Sequence, residues 1–469
     1  MESFGFTFFQ AFADFIANWW WLLGAICIAF IVKQITGFRP EERLMALLMF
    51  LYFFLVITSF WILKPIKKGV FISYIAESGF DWWGWQLQPS GAEQVAKVMN
   101  MVVAFAAAAA FAFLARSLRR QQLTYIFCGF FIVAYVLYGF VLDSPGGATA
   151  WSFYLFGDLF STLMVVTFFA FLNDSVTPDI AKRLYGLIGL GGVVGGFFGS
   201  SVVAVNVKSS MNPSVWLWVC LGIAVLIALI AMMAGRLVQR NPPPEAVPTD
   251  QEQAKPQGSS ALEGARLVFR SPYLLSIMAI VGLYEMVSTI MDFQFTDTVF
   301  HYLGDDHYRH SPRVYSFTNG VALVVQLLLT SFVMVRFGVG VALLFLPIAA
   351  CLGSAGFLIV PGLLLGSFLN TTDNGFSYSI NQSAKEVLYV PTTRDEKYKA
   401  KAFIDMFIQR FAKAVAVGIN LVIATWFAGF ENVRWLSLAT VAILLLWIVA
   451  ARYAGRVFAE KERAAAAPA

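Results

Sequence analysis

Residues 59–74 read "SFWILKPIKKGVFISY", an apolar run broken by Lys64, Lys67 and Lys68. On a helix Lys64 and Lys67 share a face and Lys68, four from Lys64, lies beside them. Asp158 stands alone in "FYLFGDLFSTLMVV", Glu285 and Asp292 are two helical turns apart, Lys385 and Glu386 are adjacent, and Asp405, Arg410 and Lys413 follow in one stretch. Lysines act as point charges for phosphate, and carboxylates near them temper the repulsion of an empty cationic site. With a surplus of cations, the set suits a multiply charged anion. Asp158, Glu285, Asp292 and Asp405 are also candidates for a proton carrier or a gate, and Trp61, Phe71 and Tyr74 for stacking on a base.

What must position these groups is a membrane fold. Of the 469 residues, 59% are hydrophobic and only 13% charged, against about 25% charged in an ordinary soluble domain. Apolar stretches of roughly twenty residues, long enough to cross a hydrocarbon core, recur along the chain. A leading span near 15–35 precedes twelve more, near 44–63, 92–116, 123–142, 150–173, 183–207, 215–235, 272–296, 313–335, 339–356, 358–382, 402–426 and 434–455. A charge at mid-bilayer costs about 2.5–3.5 kcal/mol on insertion scales, so ionisable residues inside spans tend to face a wet cavity or a partner. The opening lysines can line such a cavity, or the span can stop at Lys64 and let them snorkel to the headgroups. Asp292 reads as cavity or surface, and Asp158 as a functional carboxylate or a buried partner of the lysines.

Basic residues crowd every second loop: Lys33, Arg39 and Arg43; Arg116, Arg119 and Arg120; Lys182 and Arg183; Arg236 and Arg240 with Lys255, Arg266 and Arg270; Arg336; Lys385 to Lys401; and Arg452 to Arg463. "DSPGGATA" between them has none. This asymmetry places the C-terminus and the long central loop in the cytoplasm, and the leading span then puts the N-terminus outside. The expected divisions are 1–38 as leading helix, 39–238 and 271–458 as two six-helix bundles, 239–270 as a flexible Pro-, Gln- and Ser-rich linker, and 459–469 as tail. Two six-helix halves joined by a cytoplasmic linker is the major-facilitator arrangement. An internal echo, "NDSVTPDIAKRLYG" and "VPTTRDEKYKAKAF", puts a capping Thr177 or Thr393 ahead of a helix in each half. The glycines of "GLIGLGGVVGGFFGSS" lie inside a span and read as close helix contact, not as a phosphate loop.

Cys27, Cys128, Cys220 and Cys351 sit singly in apolar spans, and His301, His307 and His310 share a short polar loop. No metal, cofactor or disulfide is expected from them. No signal peptide is expected either, because the first basic residue follows the first apolar run.

Three stretches, "WILKPIKKGVF", "FYLFGDLFSTLMVVTFFAFLNDSVTPDIAKRLYGLIGLGGVVGG" and "NQSAKEVLYVPTTRDEKYKAKAFIDMFIQRFAKA", resemble the ATP:ADP antiporter family, and most of all its relatives in free-living bacteria. The resemblance runs from about residue 36 to near the end. It implies a major-facilitator-like fold in a bacterial inner membrane and nucleotide exchange by alternating access. It carries the family's first-helix lysine onto Lys67, its fourth-helix acidic residue onto Asp158, and its basic-acidic pair onto Lys385 and Glu386. Where the family often has Arg and Asp, this chain has Lys64 and Lys68. The expectation is a monomeric antiporter for a nucleotide or related organophosphate; the alternative is a proton-coupled symporter or exporter of another solute class. No nucleic-acid polymer is an expected partner, and no nucleophile–base pair suggests an enzyme.

Overall fold

The computed structural model describes residues 2–176, 178–207, 212–240, 260–393, 396–426 and 429–466. The leading helix α1 (Glu2–Thr36) ends where Arg43, in the next helix, donates to the carbonyls of Thr36 at 3.0 Å and Phe38 at 3.1 Å. Six helices follow: α2 (Pro40–Ser78), α3 (Pro89–Ser117), α4 (Arg120–Val141), α5 (Gly147–Ser175), α6 (Pro178–Asn206) and α7 (Pro213–Arg240). A two-residue-per-strand hairpin, β1 (Asp81–Trp82) with β2 (Trp85–Gln86), links α2 to α3.

The second half repeats the pattern with more interruptions. α8 (Ser260–Arg270) leads into α9 (Pro272–Leu303). α10 (His307–Val324) passes through a π-helical turn into α11 (Ser331–Phe337), and α12 (Val339–Ile359) follows. α13 (Leu363–Phe376) runs through a second π-helical turn, Ser377–Asn381, into α14 (Gln382–Val387). Two further π segments flank α15 (Lys401–Phe403) before α16 (Gln409–Trp426), and α17 (Phe430–Val433) precedes α18 (Leu436–Ala466).

Among the described residues, 11 helices are long and apolar enough to cross a membrane, and the leading helix makes twelve if its two arms, bent by 53° between Leu22 and Gly24, count as one span. The remaining expected span, 358–382, is broken and polar, with Asn370 to Asn374 in its middle. The hydrophobic cores separate by half: one is built from Phe38 to Ala234, the other from Val268 to Phe458. A smaller cluster, Trp61 with Phe295, Val314 and Tyr315, joins the two halves.

Three expectations change. The stretch 239–270 is not all flexible, since α8 occupies its last eleven residues and docks on Lys399 through Glu263 at 3.0 Å; residues 241–259 lie outside the described set. The three histidines are not in a loop: His301 ends α9, and His307 and His310 open α10, both buried. Thr177 lies outside the described residues, whereas Thr393 and Glu396 form a reciprocal cap, with Glu396 N–H donating to Thr393 Oγ1 at 3.4 Å and Thr393 N–H to Glu396 Oε2 at 3.0 Å.

The glycines of α6 do what their spacing suggested. A Cβ on Gly195 would stand 2.6 Å from the Phe54 carbonyl oxygen, and one on Gly199 would stand 2.5 Å from that of Thr58. The backbones of α2 and α6 therefore touch. That contact fixes the helix carrying the lysines.

Candidate functional site

Helix α2 does not stop at Lys64. It continues through Pro65 for about four more turns and ends only at Gly79, whose φ of +69° suits glycine and whose N–H still bonds the Ile75 carbonyl at 2.9 Å. At 39 residues it is about 58 Å long, far more than the roughly 30 Å of hydrocarbon. The lysines therefore sit within the bundle rather than at a helix end, and Lys67 and Lys68 are buried.

They open onto a chamber of about 290 Å³ between the halves. Lys67 forms an ion pair with Asp158, to which Asn100 also donates. Gly157, one residue before Asp158, leaves the room: a Cβ there would lie 2.5 Å from Lys67 Cδ. Lys68 reaches Glu93 and Asp292, each at 3.2 Å, and Lys97 reaches Asp292 at 2.5 Å and Glu93 at 3.9 Å. Asp292, on α9, is thus held by two lysines of the other half. Lys413 stands 4.0 Å from Glu285.

Lys64 is different. Its ammonium lies 4.5 Å from the Trp61 ring and 4.9 Å from the Tyr315 ring, and donates to Asn374 Oδ1 at 3.4 Å. Among the described residues it is the one chamber lysine without an ion pair. Asp373 is its opposite: buried, accepting from Ser288 Oγ at 2.7 Å, and in no ion pair among the described residues.

Of the eleven expected site residues, the structure brings seven to this chamber: Lys64, Lys67, Lys68, Asp158, Glu285, Asp292 and Lys413. Lys385, Glu386, Asp405 and Arg410 are not part of its wall. Glu386 pairs instead with Lys401, which also lies over the Tyr389 ring at 5.4 Å, and Arg410 lies 4.2 Å over Phe105 on α3. Lys385 and Glu386 lie on α14, past the π segment, where the Leu388 carbonyl accepts from Tyr273 Oη at 2.7 Å at the linker end of α9. Phe71 is fully buried against Trp151 and Tyr154, and neither it nor Tyr74 reaches the chamber; its aromatic wall is Phe60, Tyr154, Tyr284, Tyr315 and Tyr378.

Sequence reading missed Glu93, Lys97 and Asp373. The first two form an i, i+4 pair on one face just inside the third span, which was the available signal. Asp373, in "NTTDNG", is simply a carboxylate within a span. Counting them changes the electrostatics: the chamber holds five lysines and five carboxylates, so its formal charges balance instead of favouring the cations.

Hydrogen bonds between the halves gather at chamber level and towards the end away from the linker. Ser90 donates to Asp297 at 2.5 Å, Ser201 and Ser316 share a bond of 2.7 Å, and the buried Asn420 donates to Gln94 Oε1 at 3.1 Å.

A model of the family described as "TLC ATP/ADP transporter" matches residues 148–363 and 358–458. The "ADP,ATP carrier protein 2, chloroplastic" of Arabidopsis thaliana is 25% identical over 339 residues, covering 64% of this chain and 54% of that protein. The "ADP,ATP carrier protein 3" of Rickettsia bellii is 22% identical over 352 residues, covering 64% and 69%. The chain thus spans about half the length of its plastid relatives. Among solved structures, the nucleoside transporter NupG superposes with a TM-score of 0.58 at 12% identity, over 88% of this chain and 99% of that one. The D-xylose-proton symporter gives 0.58 at 12%, over 87% and 97%. These likenesses establish the major-facilitator-like fold.

Proposed function

The chain belongs to the TLC ATP/ADP transporter family, and from that premise we propose that it exchanges phosphorylated anions, nucleotides foremost, across the bilayer it spans. The observation that carries this reading is Lys64. Lys67, Lys68, Lys97 and Lys413 already have carboxylate partners, so an arriving anion would have to break a buried ion pair to use them. Lys64 is held between two rings and an amide and is open to the chamber. An anionic oxygen placed there gains a charge-assisted hydrogen bond at no such cost. Tyr284, Tyr315 and Tyr378 then offer faces to a base.

Alternating access follows from where the halves are tied. Asp292 with Lys68 and Lys97 locks the seam at the level of the substrate, and an anion that draws Lys68 or Lys97 away loosens it. The functional unit is a monomer of halves 39–238 and 271–458 in a bacterial inner membrane, with the linker and C-terminus cytoplasmic. Arg39, Arg43, Arg119, Arg120, Arg236, Arg270 and Arg336 at the linker end support that orientation, although Arg309, Arg313 and Arg434 lie at the other end.

Proteoliposomes loaded with labelled ADP provide the test. External ADP or ATP is expected to release the label, and Lys64→Gln to abolish the release. Release by sugar phosphates alone would remove the nucleotide, and uptake indifferent to internal load would remove the exchange.

A further inference from the structure

The charge balance of the chamber constrains what can enter it. Five lysines and five carboxylates sum to zero, so an anion bound at Lys64 leaves a net negative charge in a region where uncompensated charge is expensive. A proton taken up by one carboxylate offsets one unit of that charge. Four of the five carboxylates are poor recipients. Asp158 is paired with Lys67, Glu93 with Lys68 and Lys97, Asp292 with the same two, and Glu285 with Lys413. Neutralising Asp158 strands the buried Lys67, neutralising Asp292 or Glu93 leaves Lys68 and Lys97 with one carboxylate between them, and neutralising Glu285 leaves the half-exposed Lys413 without its partner.

Asp373 is the exception. It is 4% exposed, lines the chamber, and accepts one hydrogen bond, from Ser288. The groups that face it are known from each side: α9 presents Tyr284, Glu285 and Asp292, α10 presents Tyr315, α2 presents Lys64, and the π segment after α13 presents Tyr378. Helices α1 and α12 also pack on α13, and among the described residues they put no titratable side chain into the chamber. Lys64 is the nearby cation, and its ammonium points to the neighbouring Asn374 rather than to Asp373.

We propose that Asp373 is a proton-binding site coupled to Lys64, so that the anion on Lys64 enters and leaves together with one proton on the Asp373 carboxylate. This deepens the anion-exchange reading and rests on it. The proton comes from chamber water, adds to a carboxylate oxygen of Asp373, and returns to water when the anion departs. Ser288 keeps its hydrogen bond in both states, because a carboxylic acid retains an acceptor oxygen. Anion and proton bind together, and the proton reduces by one unit the negative charge that the chamber must hold.

Two measurements on the full chain in nanodiscs test this. Calorimetry of ADP binding in buffers of different ionisation enthalpy should report uptake of about one proton per ADP. In Asp373→Asn the uptake should fall to near zero while ADP still binds, and Asp373→Glu should restore it. Towards alkaline pH the affinity of the unsubstituted protein should fall about tenfold per pH unit, against a flat profile in Asp373→Asn. Equal uptake in both proteins, or ADP binding without uptake, overturns the proposal. The second measurement needs no nucleotide: acidifying the empty protein should produce an infrared band of a protonated carboxyl that Asp373→Asn lacks and Ser288→Ala shifts. If ADP does not bind but this band is present, the nucleotide reading fails and the proton site stands. If the band is unchanged by Asp373→Asn, the proton site fails whatever the anion is.

Discussion

Lys67 on α2 and Asp158 on α5 form an ion pair across the space that Gly157 leaves empty. The stem of Lys67 passes where a Cβ on Gly157 would sit, so the pair depends on a side chain that is absent as much as on two that are present.

Removing one partner should therefore cost more than removing both. Lys67→Met strands Asp158, and Asp158→Asn strands Lys67, each lowering stability by about 3 kcal/mol, the low end for breaking a buried pair. The double variant should recover at least half of one single-site loss. A double-mutant cycle from denaturant or thermal unfolding of purified protein gives the coupling, and strict additivity would mean the two charges do not interact.

Gly157→Ala tests the space itself. The added methyl collides with the Lys67 stem, not with a mobile side-chain end, and overpacking of this kind costs about 1–3 kcal/mol. Transport in proteoliposomes should fall much further than stability, because the ammonium is displaced from Asp158. A variant with unchanged exchange would show that the pair tolerates the shift.

Gly195→Val and Gly199→Val are directed at the α2–α6 contact. Each new Cβ meets a backbone carbonyl oxygen, which cannot swing aside. The two bundles' linker and outer loops should be unaffected, yet folded yield and thermal midpoint should drop sharply in both. Gly222→Val, whose Cβ position has nothing within 4 Å, serves as the control and should behave like the parent.

Lys64→Gln should leave stability within about 0.5 kcal/mol, since among the described residues no carboxylate forms an ion pair with Lys64, and weaken anion binding by about tenfold to a hundredfold, the worth of one charge-assisted hydrogen bond. Equilibrium binding of ADP to purified protein reads the second quantity. The surface pair Lys399–Glu263 makes the opposite case: it is solvent-exposed, and Glu263→Gln should change stability by less than about 0.5 kcal/mol.

The spans, the repeat of six and six, and the cavity lysines were legible because each is a local pattern. An apolar run of twenty residues or a charge inside one needs no knowledge of its neighbours. What escaped was relational. Glu93 and Lys97 look interfacial until α9 brings Asp292 beside them. Lys385 and Glu386 look like cavity residues until α14 proves to lie beyond the chamber wall, past a π segment. A π-helical insertion shifts every later side chain by about a hundred degrees around the axis, and nothing in "GFSYSINQSAKE" announces it. The aromatic wall was misjudged for a similar reason: Phe71 is on the lysine helix but faces Trp151 and Tyr154, and of the chamber's rings Phe60 comes from that helix and the other four from α5, α9, α10 and the π segment after α13.

The leading helix carries a consequence of its own. Near its start, Phe6 stacks on His310 at 6.0 Å and Phe9 meets the same ring edge-on at 5.4 Å, while Gly5 abuts Leu364; near its end, Ile31 and Ile35 pack on the core of the first bundle. The helix is thus held to both bundles, with Phe12 on Phe317 and Trp20 on Phe198 between its ends. Were the bundles to rock as proposed above, a straight rod would brace them, and the 53° elbow in its middle would let each arm follow its own bundle.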